Sequence, residues 1–199
     1  MTARPDRAEQ SGAQYGLGMP CRLQILDDTY LRLLDEADAP ELHRLIEANR
    51  AHLATWMAWA TSQTLDGTLE FIRMAKGQLT GNDGFQTAVV LDGALIGMIG
   101  FHSLDWGNRS TSLGYWLAEG HQGRGTMTAA VRLLVGHALS VWELNRIEIR
   151  AALENRRSRA IPERLGFRQE GTLRQGELVN GRYFDCAVYS MLSAEWRSG

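Results

Sequence analysis

Between positions 110 and 141 the chain changes its hydrophobic period once, and glycines mark the change. Over residues 110–118, Leu113, Tyr115 and Leu117 fall on one side of an extended segment and Trp116 on the other, which is the alternation of a strand. From Thr126 onward Met127, Val131, Leu134, Val135, Ala138 and Val141 recur at helical spacing, so a buried helix is predicted. A strand, a glycine turn and a helix start in succession make an anion site, because first-turn amides lack helical partners and the dipole there is positive. Gly123 and Gly125 let an anion approach the backbone, and Arg124 adds a full charge. The turn from Gln122 to Thr128, with Thr126 and Met127 inside it, is the candidate cradle.

The 199 residues suffice for one domain with a full core. Residues 1–20 mix charges with Gly, Ser, Gln and Pro and show no hydrophobic period, so they are expected to form a disordered leader before a single domain over 21–199. A net charge of −2 gives no basic footprint, and neither nucleic acid nor a membrane surface is an expected partner. Cys21 and Cys186 stand far apart without a Cys-x-x-Cys pair, so they read as reduced thiols and no metal is expected. No run is long and apolar enough to span a membrane, and a cytoplasmic protein is expected.

In chain order, residues 29–34 read as a first strand, and Asp38-Ala39-Pro40-Glu41 reads as a capping box that opens a helix to about Asn49. Leu53, Trp56, Met57 and Trp59 follow at helical spacing, either as core or as the wall of a site. A helix over 65–79 precedes a hairpin with Asp92-Gly93 at its turn, and a third antiparallel strand completes a meander. His102, near the end of the second hairpin strand, is a structural histidine or a base. The helix after Thr126 allows residues 146–152 to lie parallel to the strand before it, the one parallel pair expected. A short helix from Asn155 ends at Gly166 and carries Pro162, which removes an amide donor and threatens the placement of Ser158. Two last strands surround Asn180-Gly181.

The hexapeptide Gln122-Gly123-Arg124-Gly125-Thr126-Met127 resembles the acetyl-CoA signature of the GCN5-related N-acetyltransferases, Gln/Arg-x-x-Gly-x-Gly/Ala. Gln122 and Gly125 match, whereas Met127 departs from the strict pattern in the way of the branch that acetylates ribosomal-protein N-termini. Leu53, Trp56 and Trp59 match that branch's Leu-x-x-Trp-x-x-Trp, which faces the incoming amine. Asn155 and Ser158 match its Asn-x-x-Ser, Leu165-Gly166-Phe167 follows at the family spacing, and Glu177 and Asp185 match near the end.

This resemblance implies an α/β fold: a mixed, mostly antiparallel sheet of about seven strands, helices on both faces and two splayed parallel central strands. It implies acetyl-CoA as co-substrate, with its pyrophosphate on the glycine turn and its thioester polarised by a backbone N–H near Leu117. Asn155 would bind the pantetheine arm, Ser158 would protonate the departing thiolate, and Glu177 would take the amine's proton through a water. The implied acceptor is a protein N-terminal amine, attacked directly in a ternary complex, and a homodimer is an admissible assembly. A small-molecule amine, such as an antibiotic, polyamine or aminoacyl nucleotide, is the alternative acceptor. A non-catalytic acetyl-CoA-binding module is the alternative from another class.

Overall fold

A computed structural model describes residues 22–197, so the expected leader and Cys21 lie outside the described residues. Strands β1 (Leu23–Leu26) and β2 (Thr29–Leu33) lead into helices α1 (Ala39–Ala48), α2 (Arg50–Leu53) and α3 (Leu65–Thr80). Strands β3 (Gln86–Leu91), β4 (Ala94–Asp105) and β5 (Ser110–Leu117) form the meander. Helix α4 (Thr126–Ser140) crosses to β6 (Arg146–Ala152), and α5 (Arg156–Arg164) precedes β7 (Arg168–Val179) and β8 (Arg182–Leu192). The sheet runs β1-β2-β3-β4-β5-β6-β8-β7, antiparallel throughout except at β5–β6.

The architecture is the expected one, with eight strands in place of about seven. The extra strand is β1, where Leu23 and Ile25 are half-buried against the core and alternate with exposed neighbours. Four residues of alternation are too few to stand out from the polar stretch before them. Both faces of the sheet are covered, as a doubly packed β3 requires. Val89 faces the cluster built around α4, with Val131, Leu134 and Ile147, whereas Ala88 and Val90 face Leu42, Ile46 and Ile72 of α1 and α3. Each such Val, Leu or Ile side chain contributes about 1.5–3 kcal/mol when removed from water, so α4 is held chiefly by its buried face. Val141 is an exception to the predicted stripe, because α4 ends at Ser140 and leaves it 54% exposed. Trp142 takes the buried place instead, against Phe85 and Phe101.

The capping box lies three residues before its expected position. The Asp38 side chain makes no cap bond to α1; it accepts the Asp35 N–H at 2.8 Å and two bonds from the Arg32 guanidinium at 2.6 and 2.7 Å. Asp35 completes the box by accepting from the Ala37 N–H at 3.1 Å. A two-pronged charged pair outweighs a single amide bond, and it turns Asp38 away from the helix that follows it. Glu41 is likewise diverted, accepting the Leu95 N–H at 2.8 Å and tying α1 to β4.

One irregularity places the site. Pairing between β5 and β6 is confined to Ser110–Ser112 against Arg146–Glu148. Strand β5 continues to Leu117 along β4, and β6 continues to Ala152 along β8, so beyond these pairs each strand is held only on its outer edge. The sheet opens as a V there, and alternate N–H and C=O groups of the two inner edges face the gap.

Candidate active site

The glycine turn closes the wide end of that gap. Gly123 and Gly125 have φ of 79° and 80°, and a Cβ built on either meets no protein atom within 4 Å. The left-handed backbone and the open space beside it are both conditions that glycine meets without strain. Gly125 caps α4 without any side-chain bond, and the first helical bond of the turn is from Ala129 N to Gly125 O at 3.0 Å. The amides of Thr126, Met127 and Thr128 therefore precede the helical ladder and are left for an anion. All of these residues line a cavity of 1580 Å³, together with Arg124, Arg132, Arg156, Arg157 and Arg164. Five guanidinium groups around one cavity are a local excess in a chain of net charge −2, and they suit a ligand with several phosphates.

Gln122 holds the turn rather than pointing freely into the cavity. Arg157 donates to its Oε1 at 2.8 Å, which fixes the amide orientation, so Nε2 must donate to His52 Nε2 at 2.7 Å. In that bond His52 Nε2 is the acceptor, which corresponds to the tautomer with the ring proton on Nδ1. Gln122 Nε2 also reaches Leu117 O at 3.4 Å. One side chain thus joins the end of β5, helix α2 and the start of α5. His52 carried no sequence signal of this role, because 70 residues separate the partners.

A second cavity, of 730 Å³, lies on the far side of the V. Trp56, Met57, Tyr115, Trp116, Asn155 and Ser158 line both cavities, so the two meet there. Asn155 caps α5 by accepting the Ser158 N–H on its Oδ1 at 3.1 Å. That leaves the Nδ2 donors without a protein partner among the described residues, on a side chain that lines both cavities. Pro162 does not displace Ser158. The proline lacks the amide that would bond the Ser158 carbonyl four residues earlier, and the Tyr115 hydroxyl supplies the missing donor at 3.1 Å. Burial raises the Tyr115 pKa, which keeps the phenol protonated and able to donate. Among the described residues the Ser158 hydroxyl has no protein partner, and the side chain that caps the short helix is that of Asn155.

The expected wall residues divide between the cavities. Trp59, 40% exposed, lines only the smaller one, Trp56 lines both, and Leu53, 1% exposed, belongs to the core and reaches only the larger. They do not share one helix, because α2 stops at Leu53 and Trp59 sits in a 3-10 turn, Ala58–Thr61. Glu177 lines the smaller cavity beside Arg150 and His102, as the one carboxylate among its described lining residues. Burial, with the Glu177 carboxylate as a further cause, pushes the Cys186 thiol up to about 11. His102 bonds Ser112 Oγ through Nδ1 at 2.9 Å, and desolvation, aided by Arg150, lowers its pKa. No group of three His, Cys, Asp or Glu among the described residues is placed to hold a metal, and no helix among them is long and apolar enough to cross a membrane.

Comparison with known proteins agrees with this geometry. A family model described as an acetyltransferase (GNAT) domain matches residues 28–168. YdaF of Bacillus subtilis (strain 168), provisionally named a ribosomal N-acetyltransferase, is 40% identical over 168 residues, 83% of this chain and 92% of that protein. The structure of RimL, a ribosomal L7/L12 alpha-N-protein acetyltransferase in complex with coenzyme A, superposes with TM-score 0.82 at 25% identity, covering 86% of this chain and 97% of that one. The microcin C7 self-immunity acetyltransferase MccE, in complex with acetyl-CoA and AMP, gives 0.82 at 26% identity over 87% and 97%. The glycine turn, the splayed strands and these relatives lead to one conclusion: the chain belongs to the GCN5-related N-acetyltransferase family and is an acetyl-CoA-dependent N-acetyltransferase.

Proposed function

We propose that the enzyme acetylates the N-terminal amine of a protein, a ribosomal protein by analogy with the names of YdaF and RimL. The observation that carries this reading is the meeting of two cavities at Asn155 and Ser158, with five arginines around one and an aromatic wall around the other. Acetyl-CoA occupies the larger cavity, its pyrophosphate on residues 122–128 and its pantetheine against Asn155. The amine enters from the smaller. A polyamine would call for several carboxylates, and among the described lining residues Glu177 is the one carboxylate, beside the positive Arg150. An aminoacyl nucleotide finds aromatic rings, but Trp59 and Trp116 are tilted by 53° and form no parallel slot for a base.

In this mechanism the amine lone pair attacks the thioester carbon and the C–S bond breaks as the tetrahedral adduct collapses. The proton lost by the amine passes through water to Glu177, and the CoA sulfur takes the Ser158 hydroxyl proton, which solvent replaces. A thioester is already activated, so holding the reactants together supplies most of the rate, about 7–11 kcal/mol at best. Release of CoA should therefore be measured with peptides starting with Ser, Ala or Met, the same peptides N-terminally blocked, spermidine and an aminoacyl nucleotide. Turnover confined to free N-termini is the expected result, and preferred turnover of spermidine or the nucleotide overturns the reading.

Two variants test the acceptor side. Trp59→Ala should raise KM for the peptide roughly fivefold and leave KM for acetyl-CoA unchanged, since only the smaller cavity is altered. Equal loss for both substrates would place Trp59 in the scaffold. Glu177→Gln should abolish the enzyme's own acidic limb, leaving a rate that follows the amine's ionisation over the pH range. An unaltered pH–rate profile would remove Glu177 from the proton path.

A further inference from the structure

The β7–β8 turn meets the tryptophan arm, residues 54–61, from the opposite end of the chain. Asn180 and Gly181 have φ of 49° and 80°, the two left-handed positions of a tight hairpin turn. Turn geometry accounts for the backbone of Asn180 but not for its side chain. Its Nδ2 donates to Ala54 O at 2.8 Å, and its Oδ1 accepts from the Thr61 hydroxyl at 2.7 Å. A carbonyl can only accept, so the amide orientation is determined.

These two bonds grip the arm at both ends. Between Ala54 and Thr61 lie Trp56, Met57 and Trp59, all of which line the smaller cavity. Regular structure in this span is confined to the turn Ala58–Thr61. Trp56 rests on Phe184 of β8, with ring centres 5.8 Å apart, and Arg50 donates to the carbonyls of Ala60 and Gln63. Asn180 is thus the polar link that fastens the arm to the terminal hairpin, which also carries Glu177 on β7.

We infer that Asn180 is a positioning residue for the acceptor: it sets the tryptophan arm over the smaller cavity and so determines affinity for the amine without touching acetyl-CoA. The inference rests on the smaller cavity being the acceptor site. Asn180→Gly separates the two roles of the residue, because glycine adopts positive φ freely and keeps the turn while both side-chain bonds vanish. Thr61→Val removes one of the bonds from the other side and leaves the hairpin untouched.

The test combines amide hydrogen exchange over residues 54–61 with KM values for acetyl-CoA and for a peptide with a free N-terminal serine. Asn180→Gly should speed exchange in the arm and raise KM for the peptide about five- to tenfold, with KM for acetyl-CoA unchanged. Thr61→Val should give a smaller shift in the same direction. Unchanged exchange in the arm overturns the fastening itself. Faster exchange with an unchanged peptide KM overturns the link to the acceptor, and then it is the reading of the smaller cavity that has failed. A parallel rise in both KM values with a lower Tm makes Asn180 a scaffold residue only and overturns the inference.

Discussion

Ser158→Ala is expected to lower kcat about 100-fold while leaving KM for acetyl-CoA and for the amine close to their original values. The magnitude follows from the low end of general acid assistance, roughly 10²- to 10⁴-fold, because an alcohol is a weaker acid than the thiol it protonates. The pattern follows from when the bond forms. In the ground state the thioester sulfur carries little charge and accepts a hydrogen bond poorly, whereas at C–S cleavage it becomes an anion, and a donor then gains strength. Two other features hold the serine in place without its hydroxyl: Asn155 binds its N–H and Tyr115 binds its C=O. Alanine preserves both backbone bonds, so the substitution isolates the hydroxyl. Single-turnover and steady-state kinetics with saturating substrates would check this, and full kcat in the alanine variant would leave positioning and backbone polarisation as the whole of catalysis. A companion substitution, Tyr115→Phe, should produce a different pattern, since it unpairs the Ser158 carbonyl and lowers Tm along with kcat.

Those two backbone bonds show where reading a sequence reaches its limit. The change of period around residues 120–125 was legible because both halves are local, one alternating and one helical. The hairpin turns at Asp92-Gly93 and Asn180-Gly181 were legible for the same reason, each needing two left-handed residues in a row. Pro162 was also visible, and so was the missing donor it implies. Which group would satisfy the orphaned carbonyl was not visible, because Tyr115 lies on the other side of the V and alternation assigns it only to a face. The same holds for Gln122 with His52 and for Asn180 with Ala54, whose partners come together only once the strands part. Asp35 and Asp38 are equally good caps by type and spacing, and Arg32, from the preceding strand, decides between them. The wall Leu53, Trp56 and Trp59 was read as one helical stripe, yet α2 ends at Leu53, and the residues separate between the two cavities.

Gly125→Val is expected to weaken acetyl-CoA binding roughly a hundredfold, the largest loss of affinity from any single change in the cofactor cavity. An added Cβ on Gly125 meets no protein atom within 4 Å at the mouth of α4, so the valine methyl groups extend into the space where the proposed pyrophosphate would lie against the first-turn amides. Two charge-assisted bonds lost at about 1.5 kcal/mol each amount to about 3 kcal/mol, which is two decades in Kd. A second effect acts on the protein alone, because a β-branched residue at φ of 80° is strained by about 1–2 kcal/mol. The two effects separate in calorimetry, since strain lowers Tm of the free protein whereas the blocked phosphate reduces the rise in Tm that acetyl-CoA confers. Gly181→Val provides the control: Gly181 has the same φ of 80° and an equally open Cβ position but lies at the β7–β8 turn, away from the cofactor. It should show the strain alone. Unchanged acetyl-CoA affinity in Gly125→Val would remove the pyrophosphate from this turn, and equal loss in both variants would mean that strain, propagated through the fold, had been mistaken for a blocked site.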